Sequence, residues 1–132
     1  MTKVKITTRL LTQTENGAEH IDNAFAGEMA KREDFCKLHY AEGEGVKTHC
    51  VISSDRVVLK RAGALQSVME FVNGATTVSH YKIPEGIIEM EIRTTQLEIV
   101  QTQLRGEVLV DYEIIMSGMT VAQNQLLIAW SE

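Results

Sequence analysis

The stretch IIEMEIRTTQLEIVQTQLRGEVLVDYEIIMSGMTVAQNQLLIAW, residues Ile87 to Trp130, decides the fold. One face of it reads Ile88, Met90, Ile92, then Leu97, Ile99, then Val108, Val110, Tyr112, Ile114, Met116. The other reads Glu89, Glu91, Arg93, then Glu98, then Glu107, Asp111, Glu113. A period of two with one oily face is the pattern of a half-buried antiparallel sheet. Thr95-Gln96, Leu104 to Gly106 and Ser117-Gly118 are expected to close its hairpins. Across Ser117-Gly118, Met116 should meet Met119, Ile114 should meet Val121, and Tyr112 should meet Gln123. This register turns Gln123 and Gln125 inward, with Gln101 and Gln103. It turns Leu126, Ile128 and Trp130 outward, on the side of Leu109 and Ile115.

Working outward, the same alternation continues to the start of the chain. Thr2 to Thr14 sets Val4, Ile6, Thr8 and Leu10 against Lys3, Lys5 and Arg9. Asn16-Gly17 is a two-residue hairpin signal, since both positions tolerate positive φ. It would set Thr8 opposite Phe25, Ile6 opposite Gly27 and Val4 opposite Met29. A turn at Arg32-Glu33 then sets Met29 against Cys36, Gly27 against Leu38 and Phe25 against Tyr40. Past Glu42-Gly43-Glu44-Gly45, Tyr40 and Leu38 look toward Thr48 and Cys50, which makes Cys36 and Cys50 diagonal neighbours. Val57, Leu59 and Arg61 share the inner face, as do Leu65, Ser67, Met69 and Phe71. At Asn73-Gly74 a two-residue loop would bring His80 inward, and a three-residue loop Tyr81. Tyrosine suits an apolar interior better, so Tyr81 is expected there. Pro84-Glu85-Gly86 is a further turn. The sum is about ten short strands, each beside its neighbour in sequence. Such a meander leaves two open edges unless it closes, so an all-β, up-and-down barrel over residues 1–132 is the expected fold.

Bulk properties narrow the function classes. The 132 residues suffice for one domain with a core, and hydrophobic residues make up 44%. A formal charge of −5 argues against nucleic acid and against an anionic membrane surface. No apolar run approaches the roughly 18 residues of a membrane span. Met1 to Leu10 alternates instead of forming a signal core, so a cytoplasmic protein with reduced Cys36 and Cys50 is expected.

Several residues also carry a resemblance. Val57-x-Leu59-x-Arg61-x-Gly63 is followed by Met69-x-Phe71, Gly74, Tyr81 and Gly86, then by Thr94, Leu97, Gly106 and Tyr112, with Leu38-x-Tyr40-x-Glu42 upstream. This pattern resembles the YwiB-like proteins, bacterial β-barrels of the calycin type. Ile83 departs from it where threonine is expected, but keeps a β-branched side chain. The resemblance implies a closed lipocalin-like barrel and no particular activity.

The residue most informative about function is Arg61, a guanidinium on the inner face beside Val57 and Leu59. A buried charge needs a partner. Glu42, on the face of Leu38 and Tyr40, is the candidate. In one reading Arg61 closes the barrel end by bonding backbone carbonyls. In the other it meets an anionic group of a ligand. Tyr40, Tyr81, Tyr112, Gln123 and Gln125 would line such a cavity, and a small, partly apolar or anionic molecule would be the partner. The competing reading is a scaffold that works through an outer apolar patch of Leu109, Ile115, Leu126, Ile128 and Trp130, as a homodimer or adaptor. An enzyme has least behind it, since Glu42 with Tyr40 is the only acid–base pair on offer. His20, His39, His49 and His80 show no metal-ligand spacing, so no metal and no cofactor are expected.

Overall fold

The computed structural model describes residues Met1–Glu132. It contains ten strands and no helix: β1 (Thr2–Thr14), β2 (Gly17–Lys31), β3 (Cys36–Glu42), β4 (Val46–Ile52), β5 (Arg56–Gly63), β6 (Gln66–Val72), β7 (Thr76–Ile83), β8 (Gly86–Gln101), β9 (Arg105–Met116) and β10 (Met119–Ser131). Each strand pairs antiparallel with its sequence neighbours, and β1 pairs with β10 from Lys5↔Ser131 to Gln13↔Gln123. That last pairing closes the meander into a barrel, as expected from the absence of any other cover for its edges. No helix is long and apolar enough to cross a membrane.

The interior is filled unevenly. Toward the end that holds the chain termini, Ile6, Leu38, Cys50, Ile52, Val57, Phe71, Ile92, Val108 and Val110 are fully or almost fully buried. These are the aliphatic and aromatic side chains of the alternating pattern, and they form one continuous core. Gly27 is part of that packing. A Cβ there would lie 2.5 Å from the Ile6 side chain and 2.7 Å from the His39 carbonyl oxygen. At the opposite end the β1–β2 ribbon stands taller than its surroundings. β2 meets β3 only from Gly27↔Tyr40 to Lys31↔Cys36, so β2 residues 17–26 have β1 on one side and no strand on the other.

Four registers differ from the sequence reading. The β1–β2 turn is Glu15-Asn16, with Gly17 at φ 118°, so Ile6 faces Phe25 and Val4 faces Gly27. The β2–β3 connection is also longer, so Met29 faces Leu38 and Gly27 faces Tyr40. Thr95-Gln96 is not a hairpin but a bulge inside β8, where pairing with β9 shifts between Thr94 and Gln96. The fourth difference lies in β10. Its register shifts between Thr120 and Ala122, so Ala122, and not Val121, meets Ile114. One extra residue flips every side chain that follows. Leu126, Ile128 and Trp130 therefore point inward and are buried. Gln123 and Gln125 point outward, and Gln125 donates a hydrogen bond to Asp111 on that outer wall. Tyr81 is on the inner face opposite Ser67, as the three-residue loop requires.

Cys36 and Cys50 are diagonal neighbours on β3 and β4, both buried and both free. Burial pushes the Cys50 thiol up to about 12 and the Cys36 thiol upward as well. Neither forms thiolate near neutrality, and the thiolate is the reactive species. A thiol-specific reagent at pH 8 is therefore expected to label neither cysteine in the native protein and both in urea. Rapid native labelling would place at least one of them outside the core.

Candidate functional site

The pairings align a polar row across five strands. Tyr40 on β3 faces Thr48 on β4, Thr48 faces Arg61 on β5, Arg61 faces Ser67 on β6, and Ser67 faces Tyr81 on β7. All five are on the inner face, because each strand keeps the same parity through its short hairpin. The row lies toward the end away from the termini. There the aliphatic filling stops and a cavity of about 340 Å³ begins. Tyr40, Glu42, Arg61, Tyr81, Tyr112 and Asn124 supply polar groups, with Thr8 and Asn23 beside them, and Leu10, Ile21, Leu59, Met69, Ile114, Leu126 and Ile128 form the apolar wall. Phe71 packs at 4.8 Å, ring centre to ring centre, against Tyr112, where the filled half meets the hollow half. Phe25 stacks on Tyr40 at 4.9 Å and fixes the other side.

Glu42 and Arg61 are the only charged residues lining the cavity, and they bond each other. Arg61 Nε donates to Glu42 Oε2 at 2.7 Å, and Thr48 Oγ1 donates to the same oxygen at 2.5 Å. The two charged side chains are 24% and 25% exposed, so each is mostly withdrawn from solvent while lining the cavity. Burial alone would lower the pKa of Arg61, but the bond to Glu42 and its charge outweigh this and raise it. Burial holds the phenols of Tyr40, Tyr81 and Tyr112 above their usual range; for Tyr112 a hydrogen bond with Asn124 opposes part of that. At neutral pH the cavity therefore presents a guanidinium and neutral phenols, groups that donate hydrogen bonds, with one carboxylate among them.

The structure brings Tyr40, Glu42, Arg61, Tyr81 and Tyr112 together around this space. Arg61 bonds a carboxylate and not backbone carbonyls. Gln123 and Gln125 do not take part, being on the outer face, and Gln101 and Gln103 are exposed around the β8–β9 connection at the far end. The sequence reading missed Asn124, which takes the inward place it gave to Gln123 and Gln125. Asn124 accepts a hydrogen bond from Thr12 at 2.5 Å. The proposed outer patch is broken up. Leu126, Ile128 and Trp130 belong to the interior, leaving Leu109 and Ile115 half-buried outside.

A second cluster lies on the outer wall. His39 and His49 face each other across β3 and β4 with Nε2 atoms 2.9 Å apart. Burial lowers the pKa of His49, and His39, Lys37, Lys60 and Lys47 lower it further. The Tyr40–Thr48 register already implied this pair, because their neighbours must also meet. No group of three or more His, Cys, Asp or Glu side chains is placed to hold a metal ion.

Comparison with known proteins agrees with this architecture. Over 69 residues the chain is 29% identical to the uncharacterized beta-barrel protein YwiB of Bacillus subtilis (strain 168). That match takes in 52% of this chain and 49% of the relative, about half the length of each. The crystal structure of the ywiB protein from Bacillus subtilis has the same fold, with a TM-score of 0.87 over 98% of this chain and 91% of that one at 22% identity. The family model described as Domain of unknown function (DUF1934) matches residues 4–128. The chain belongs to that family, the YwiB-like β-barrels.

Proposed function

We propose that this protein is a lipocalin-like binding protein that holds a small, partly apolar molecule inside its barrel, with the polar head at Arg61. One observation carries the reading: a cavity of about 340 Å³ in which polar side chains face an aliphatic wall. Ligand sites fall at roughly 300–1,000 Å³ and combine apolar lining with a few converging polar groups. A barrel built only as a scaffold has no need to stop its aliphatic filling halfway or to keep a guanidinium inside.

The test is a thermal-shift screen against small amphiphilic metabolites and fatty acids, run on wild type and on Arg61→Ala. A compound present at a hundred times its Kd adds about 2.7 kcal/mol of stability, a rise in Tm of roughly 10 °C for a domain of this size. That rise is expected in wild type and should be absent in the variant. Arg61→Lys, which keeps the charge, is the second variant should Arg61→Ala fail to fold. The reading is lost if no compound stabilises wild type, or if the variant responds equally.

A further inference from the structure

We infer that the cavity selects an uncharged polar head that places a hydrogen-bond donor beside an acceptor, as a carboxamide or lactam edge does, in preference to a free carboxylate. This rests on the cavity being a ligand site, and it goes on to say what chemistry the site reads. The first ground is charge. Glu42 and Arg61 neutralise each other, and no other charged side chain lines the space. An incoming carboxylate would bring an unbalanced charge into a half-shielded site and would have to compete with Glu42 for the guanidinium.

The second ground is which atoms are already used. Both hydrogen bonds to Glu42 end on Oε2, which leaves Oε1 without a protein donor. Arg61 spends only Nε, which leaves its Nη1 and Nη2 fork without a protein acceptor. The pair thus offers donor hydrogens and an acceptor oxygen side by side. The third ground lies next in the same row. Ser67, between Arg61 and Tyr81, is buried and does not line the cavity, so the accessible donor beyond Arg61 in this row is Tyr81. The Tyr81 hydroxyl has only the Met69 sulfur at 3.4 Å, a weak acceptor. A carbonyl oxygen in the cavity would be met by the unspent Arg61 fork and the Tyr81 hydroxyl, and an N–H beside it by Glu42 Oε1. Buried polar groups left unpaired penalise a ligand that lacks the matching group.

The experiment uses two probes with the same carbon skeleton, hexanamide and sodium hexanoate. Each is titrated at pH 7 into the full chain and into Glu42→Gln, followed by amide chemical shifts. In wild type hexanamide is expected to bind at least about tenfold more tightly than hexanoate, a difference of about 1.4 kcal/mol. In Glu42→Gln, where the guanidinium is no longer neutralised, the order should reverse. Hexanoate binding wild type as tightly as hexanamide overturns the inference, as does an unchanged ratio in the variant. The wild-type ratio decides alone if Glu42→Gln does not fold. If neither probe moves the resonances around Tyr40, Arg61 and Tyr81, this inference is overturned, while the cavity reading stands or falls separately on the thermal-shift screen.

Discussion

Trp130→Ala should cost about 3–5 kcal/mol of folding stability, the usual loss for emptying a buried tryptophan site. The indole is only 3% exposed, and it lies beside the seam where β10 pairs with β1, directly across from Ile6. It also covers Gly106 on β9: a Cβ at that position would run into the ring. Removing the indole therefore opens a void lined by the closing strands, which are tied at both edges and cannot collapse inward. Urea denaturation measures the effect, and native tryptophan emission should be blue-shifted relative to unfolded protein, since Trp130 is the single tryptophan. An outward Trp130, as strict alternation from Ser117-Gly118 implied, would give a change within about 0.5 kcal/mol, as surface substitutions usually do. A small loss would therefore return β10 to the unbulged register and put Gln123 and Gln125 back in the cavity.

Gly63→Ala is the second large effect, at about 2–3 kcal/mol, and it acts through backbone alone. Gly63 ends β5 at φ 103°, in a region that side-chain-bearing residues rarely enter. The added methyl would also meet the Gly45 carbonyl oxygen of the neighbouring turn, and that oxygen accepts a hydrogen bond from Ala64. Neither the strain nor the clash can be relieved by a side-chain rotation. Gly74→Ala is the control. Its φ of 75° is also left-handed, but a Cβ there meets nothing within 4 Å, so the cost should be about 1 kcal/mol. Thermal denaturation of the two variants separates them. Equal losses would mean that the Gly45–Gly63 contact is not made.

These two positions illustrate what alternation can and cannot reveal. The β1–β2 and β2–β3 registers differ from those the turns suggest by two residues each, yet Val4, Ile6 and Met29 fall on the core face, because a shift of two preserves the face. In β10 a shift of one, caused by a bulge that no Gly or Asn marks, exchanges inner and outer sets from Ala122 onward. The bulge at Thr95 does less harm because the sequence marks a turn at that place and so allows a break in alternation there. Arg61 and Glu42 were legible as partners because the intervening turns are tight and keep parity. The cavity was not, since alternation says which side chains point inward and not whether they fill the space. Thr48, Ser67 and Asn124 are ordinary strand residues in sequence and gain their roles only from what lies opposite.

The pairing of β1 with β10 also has a kinetic side. Every other ladder joins strands that are neighbours along the chain and can zip soon after each turn forms. The closing ladder joins the first strand to the last, so its loop-closure entropy is set by nearly the whole chain. Until β10 has been made and has docked, one edge of β1 stays unsealed, with the apolar side of Ile6 and Leu10 uncovered beside it. High contact order of this kind places the committing step of folding late, and it leaves the nascent chain with a sticky border for other strands or for chaperones to find first.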